Sequence, residues 1–312
     1  MAENSKIEWT NHTFNPWVGC QKVSPACDHC YAEEWAKRFG RDFNVPTRTS
    51  AANWKKPLKW NRVAEIQYNA WEKFKAANPG MTNDQLAAAG FAKPERPRVF
   101  CASLADVFDN RVPAEWREDL FELIRITPHL DWLLLTKRIG NVARMVPAIW
   151  TTTCAWPKNV QMGITVCNQP EWDRDVDKLL ALPAPLHFVS FEPLLADINL
   201  WQCPVCGGGG CERCNGSGDR KYLDIGWAIV GGESGPKARP MHPAWARSLR
   251  DQCAAAGVPF LFKQWGEFAP NWLNDDDGDK IAESEWIDRM GKRTAGRLLD
   301  GVLHDCYPEA RI

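Results

Sequence analysis

The chain has 312 residues, with 38 Lys and Arg against 39 Asp and Glu, and a net charge of −1. That length can bury a large core, and the balanced charge excludes a molecule that gathers nucleic acid by its overall field. The opening "MAENSKIEWT" has no apolar segment behind a basic one and no apolar run reaches membrane-spanning length, so a cytoplasmic protein without membrane contact is expected.

Seven short runs rich in Val, Ile, Leu, Phe and Trp read as strands: 6–10, 98–103, 131–136, 160–166, 186–191, 226–231 and 259–263. They are apolar on both faces, as parallel strands covered by helices must be. Amphipathic helical patterns lie at 27–39, 113–127, 169–182 and 242–256, with Pro113 placed to open the second and Gly257 to close the last. The alternation predicts an α/β fold, either a barrel or an open doubly wound sheet. Polar residues separate the two. Ser103 and Asp106, Thr136-Lys137-Arg138, Asn168-Gln169, Glu192, Gly231-Gly232-Glu233 and Lys263-Gln264 each follow a strand. A barrel would bring all of those strand ends to one face, whereas an open sheet builds its site at a single crevice. A partial (β/α) TIM-like barrel over residues 1–270 is therefore expected. Two insertions interrupt it, at 40–97 with a helix around 63–77, and at 201–223; residues 271–312 form a C-terminal extension packing on the barrel. The acidic run 274–279 lacks the spacing of a calcium loop and reads as a solvated turn.

Within the first insertion, "RTSAANWKKPLKWNR" carries Arg48, Lys55, Lys56, Lys59 and Arg62 with Trp54 and Trp60, and no acid. Basic groups contact phosphates and aromatic faces stack on bases, so the segment is a candidate surface for DNA or RNA. The rival reading is a solvated loop whose tryptophans pack on the core.

Twelve cysteines in a reducing compartment do not read as a disulfide framework. Cys101, Cys154, Cys167, Cys253 and Cys306 are scattered and read as small buried hydrophobes. Cys203, Cys206, Cys211 and Cys214 form C-x2-C-x4-C-x2-C, enough for a closed four-thiolate zinc site of structural role. Cys20, Cys27 and Cys30 form C-x6-C-x2-C and offer only three thiolates. Three suffice to hold a [4Fe–4S] cluster while one iron keeps a position for a non-protein ligand. A second zinc site completed by His29, His12 or His242 is the alternative.

The run "NPWVGCQKVSPACDHCYAE" after a first strand resembles the radical S-adenosylmethionine (SAM) superfamily, and more distantly spore photoproduct lyase. With "LLLTKR", "SFEPLL", "VGGESGPKARPMHP", "FKQWGE" and "AGRLLDG", the chain resembles a phage-associated three-cysteine-motif family nearly end to end. The resemblance implies a [4Fe–4S] cluster on Cys20, Cys27 and Cys30, SAM chelated to the open iron, a 5′-deoxyadenosyl radical, and an electron donor for cluster reduction. Ser103, Asp106, Thr136, Glu192 and Glu233 are candidates to meet SAM, and Gly231 and Gly232 would admit its ribose or adenine closely; the rival reading has Glu192 and Glu233 in ion pairs with Lys137, Arg138 or Lys263 across the mouth. Lys137, Arg138 and Lys263 are candidates for a substrate phosphate or the SAM carboxylate, and Tyr31 for a hydrogen-atom relay. Two departures stand out: the superfamily spacing is C-x3-C-x2-C, and its "GGE" follows the second strand, whereas Gly231-Gly232-Glu233 follows the sixth. The expected activity is modification or repair of nucleic acid or a nucleotide. The alternatives are a non-enzymatic iron–sulfur or zinc protein that binds nucleic acid or a partner, and a zinc-dependent hydrolase-like barrel.

Overall fold

The computed structural model describes residues 5–151, 155–201, 203, 206, 209–210, 212, 224–270 and 287–308. Among them, seven strands form one sheet: β1 (His12–Thr13), β2 (Arg98–Cys101), β3 (Asp131–Thr136), β4 (Val160–Thr165), β5 (His187–Phe191), β6 (Trp227–Gly231) and β7 (Phe260–Gln264). Every neighbouring pair is parallel, and the order in space is the order in the chain. Winding one place along at each crossover is the topology of a barrel; a doubly wound sheet reverses at a switch point. The sheet curls into a half-barrel with β1 and β7 as its edges.

Helix α1 (Tyr31–Arg38) packs against the loop that precedes it, while the convex face is covered by helices α2 (Lys56–Ala77), α3 (Ala114–Arg125), α4 (Ile139–Met145), α5 (Gln169–Leu180) and α6 (Pro243–Ala256). Side chains alternate along a strand, so Trp132, Leu134, Val189 and Val230 meet Leu120, Val176 and Leu249 of the helices in the main core. Local chemistry sets the helix ends. The Asn168 side chain accepts from Glu171 N to start α5, and Gly257 ends α6 at φ 66°, which a residue with a Cβ rarely adopts. Helix α2 begins at Lys56, well before the expected 63, because Pro57 occupies its first turn.

The intervening residues point into the concave face. At its base Phe100, Leu133, Phe188, Trp227, Ile229 and Leu261 pack together. Gly163 belongs here because the Phe188 ring lies where its Cβ would be. Two residues further along the strands the same face carries Thr165, Ser190 and Lys263, which line a pocket. The interior thus changes from apolar to polar toward the carboxyl ends.

Segment 6–10, expected as the first strand, is not one; β1 starts at His12. Trp9, 1% exposed, turns into the concave face against Phe100, Phe188 and Trp227, with ring centroids 4.5, 6.2 and 6.3 Å away. The run is apolar because it plugs the half-barrel. From the other end of the chain, Phe262 N donates to His304 O and Cys306 N to Phe260 O, along the β7 edge. Tyr307 then reaches under the base, its hydroxyl donating to Glu8 O at 2.6 Å and its ring lying beneath the Arg98 guanidinium. The acidic run 274–279 and Cys154 lie outside the described residues. No helix among the described residues is long and apolar enough to cross a membrane.

Candidate functional site

The cysteine loop leaves β1 through Trp17–Val18, which pairs antiparallel with Thr47–Arg48. Gly19 is at φ 114°, and a Cβ there would press on Phe43 O and Val45 O at 2.9 and 3.0 Å. Only glycine lets the chain pass so close. Cys20 N then donates to Phe43 O, Ser24 caps the turn Pro25–Cys27, and Cys30 stands immediately before α1. Cys27 is buried; Cys20 and Cys30 are half-buried and pack against Val18, Ala32 and Leu104.

Two ionic groups hold this loop to the barrel. Arg138, after β3, pairs with Asp106 at 3.0 Å and Asp109 at 3.1 Å, donates to Cys20 Sγ at 3.4 Å, and donates to Gln21 O. Burial pushes the Asp109 carboxyl up, but amide hydrogen bonds from Arg111 and Gln21 and the Arg138 charge outweigh it and hold it below the ordinary range. Burial, reinforced by Asp106, pushes the Cys20 thiol up to about 12 against the pull of Arg138. On the other side Arg239 pairs with Glu233 at 2.7 Å and Asp28 at 3.1 Å and donates to Pro25 O, while His29 Nδ1 lies 3.2 Å from Glu233. Burial opposes ionisation of Glu233, but its bonds to Arg239 prevail and its carboxyl lies below its usual value.

Most of the expected strand-end residues converge, but Asn168, Gln169 and Gly231 do not line the pocket. Ser103, Asp106, Thr136, Lys137, Arg138, Glu192, Gly232, Glu233 and Lys263 line one pocket of about 400 Å³ together with Cys20, Cys27, Cys30 and Tyr31. Several are already engaged with neighbouring groups of the chain. Asp106 accepts from Thr136 Oγ1 at 2.8 Å, Lys137 N at 3.0 Å and Phe108 N at 2.9 Å, so it and Thr136 are internal struts. Glu192 pairs with Lys263 at 2.9 Å. Glu233 serves Arg239. Gly231 and Gly232 do not open space for a cofactor: a Cβ on Gly231 would meet Glu192 Oε1 at 2.9 Å, and one on Gly232 would meet Trp265 O. Tyr31 is 58% exposed, yet its hydroxyl is tied to Ser103 O at 2.6 Å.

Sequence reasoning missed Lys6, Glu8 and Trp9, which line the pocket from the N-terminal plug, and Lys292 from the C-terminal segment. It missed Arg239 and Asp109 as the anchors of the loop. No local pattern marks any of them, because they reach the site only through the fold.

The basic tryptophan segment is placed elsewhere. Trp60, 4% exposed, stacks on His12 at 4.2 Å, and Trp54 packs on Phe14 beneath Arg48, which also pairs with Asp119 at 2.7 Å. Trp60 is core, and the half-buried Trp54 has its ring taken up by Phe14 and Arg48, so neither offers a free face to a base. Lys55, Lys59 and Arg62 are exposed and Lys56 half-buried, but none of them lines the pocket. In the second cysteine cluster Gly210 N donates to Cys206 Sγ at 3.2 Å and Cys203 is buried; Cys211 and Cys214 lie outside the described residues. Among the described residues no three His, Cys, Asp or Glu side chains converge as ligands of a metal ion. The fit of the cysteine loop to a metal group accordingly rests on its donor set. Three thiols line one cavity, and the Arg138 guanidinium donates to the first of them.

Over residues 4–308 the chain matches the family described as Protein of unknown function (DUF5131), and it belongs to that family. No curated protein and no solved structure matches it.

Proposed function

We propose that this member of DUF5131 is an iron–sulfur enzyme of the radical SAM kind, acting on nucleic acid or a nucleotide. In this reading Cys20, Cys27 and Cys30 hold a [4Fe–4S] cluster, SAM and substrate share the strand-end pocket, and the second cysteine cluster holds a structural zinc. One observation carries the reading. Three thiols of a single loop line the same pocket as polar groups following β2, β3, β5, β6 and β7. Three thiols are the number that leaves one iron open, and a site at the carboxyl ends is where parallel barrels do chemistry.

When bound, cluster and SAM supply one-electron chemistry that side chains cannot perform. The chain's own groups have separable tasks. Arg138 offsets negative charge at Cys20, and the buried Asp106 and Asp109 fix where its guanidinium points. Arg239 and Glu233 hold the Pro25–His29 turn against the end of β6. Trp9 and the apolar base exclude water from below. The Glu192–Lys263 pair sets the polarity of the wall opposite.

The test is anaerobic purification with iron, sulfide and zinc analysis, followed by electron paramagnetic resonance of the reduced protein with and without SAM. The expected result is iron and sulfide in the proportion of one [4Fe–4S] cluster, with a signal that changes on adding SAM. Cys30→Ala should lose the iron and keep the zinc. Zinc in both cysteine sites, with no iron, overturns the reading and leaves a metal-stabilised binding protein.

A further inference from the structure

Among the described residues, the polar groups of the pocket fall into two sets that share no hydrogen bond or ion pair. One is the cysteine wall with Arg138, Asp106, Glu233 and His29. The other lies where the two terminal segments meet over the strand ends: Lys6 and Glu8 from the plug, Lys292 from the C-terminal segment, and the Glu192–Lys263 pair.

Most charges lining the cavity are matched. Arg138 has Asp106 and Asp109, Lys22 has Glu33, Lys263 has Glu192, and Glu233 has Arg239. Lys6, Lys137 and Lys292 form no ion pair within 4 Å among the described residues; the Lys137 ammonium reaches only Thr165 Oγ1, at 3.5 Å. On the same wall Glu8 has a buried Oε2 with no hydrogen-bond partner. Buried polar atoms are normally satisfied, and an open acceptor beside open cations marks a place where a ligand completes the set. Three ammonium groups and one carboxylate leave a surplus of two positive charges, and a phosphate monoester carries roughly −1.5 to −2 at neutral pH. A lone carboxylate would neutralise only half of it. Burial, then the neighbouring Lys263 charge, lower the Lys292 pKa, and together they outweigh the opposing pull of Glu8, Glu192 and Glu267.

We propose that the substrate is a small phosphate monoester, bound with its phosphate on Lys6 and Lys292 and with a hydroxyl or amino group donating to Glu8. Lys137 adds its charge from the wall. The inference rests on reading this pocket as the reaction chamber, and it narrows the substrate from nucleic acid to a single phosphorylated unit. The basic segment that a polymer would need does not line the cavity.

The test is binding to the anaerobically purified protein of adenosine 5′-monophosphate, guanosine 5′-monophosphate and ribose 5-phosphate, each against its unphosphorylated counterpart, with iron measured on the same samples. The phosphorylated member of a pair should bind at least about tenfold more tightly, as one charge-assisted hydrogen bond implies, and added salt should erode the difference. Lys292→Ala and Lys6→Ala should each remove most of that preference. Glu8→Gln should weaken both members of a pair alike. Equal affinity within pairs, no binding of any phosphate, or unaltered binding by both lysine variants overturns the proposal. So does a protein that binds only single-stranded oligonucleotide and loses it in Lys59→Ala/Arg62→Ala. Iron-loaded protein indifferent to phosphate would sink this inference alone, whereas iron-free protein with the phosphate preference would sink the cluster reading alone.

Discussion

Arg138, whose side chain is 7% exposed, sits where two carboxylates, a thiol and a carbonyl meet. Removing one member of such a buried set leaves the others uncompensated, which is why its cost far exceeds that of any surface pair. Asp131 is the opposite case. It opens β3 at the far end of the barrel, 19% exposed, and burial pushes its carboxyl up to about 6 against the attraction of Arg96 at 3.5 Å. A carboxyl whose folded pKa exceeds its unfolded one binds its proton more tightly in the folded state. Its contribution is therefore favourable at low pH and is lost as pH rises through about 6. Asp131→Asn should stabilise the protein at neutral pH by on the order of 1–2 kcal/mol and make little difference near pH 4. Urea unfolding of both proteins at the two pH values checks it; an unchanged difference between them would show that Arg96 outweighs burial. None of this is legible from residue type, since Asp131 and Asp109 differ only in what the fold places around them.

At the scale of elements, strands β2 to β7 were legible because each is a short apolar run that must be covered on both faces, and their observed limits lie within two residues of the expected ones. The same signal misled at 6–10, where Ile7 and Trp9 are apolar for a different reason: they fill the concave face and pair with no strand. The tryptophans at 54 and 60 also look alike in sequence whether they face a base or a core. The paired glycines after β6 divide in a testable way. A side chain on Gly231 would meet the movable end of Glu192, whereas one on Gly232 would meet the backbone at Trp265, which cannot give way. Gly232→Ala should cost about 1–3 kcal/mol or more, as overpacking does, with Gly231→Ala close to neutral. Thermal unfolding of the two variants measures this, and similar losses in both would remove close approach as the reason for the second glycine.

Over the whole molecule, the half-barrel is completed by chain that is not barrel. The plug enters from one end of the sequence and Tyr307 from the other, and they meet through the Tyr307 hydroxyl and Glu8 O. Tyr307→Phe should cost about 1 kcal/mol through the lost hydrogen bond. Tyr307→Ala should cost more and uncover Trp227, whose ring lies 5.5 Å away, so a red-shifted tryptophan emission is expected. An unshifted emission would mean that the base of the barrel is closed without it. Sequence alone determined the strand–helix alternation, the convergence of strand-end polar residues and the three-thiol loop, because these depend on periodicity and spacing along a continuous chain. Only the tertiary structure decided that Asp106, Thr136 and Glu233 are struts, that Trp60 is core with Trp54 packed against it, and that Lys6, Glu8 and Lys292 face the pocket. Those outcomes depend on which groups far apart in sequence come within a few ångströms, and in a low-dielectric interior that distance decides whether a charge is spent on a neighbour or left for a ligand.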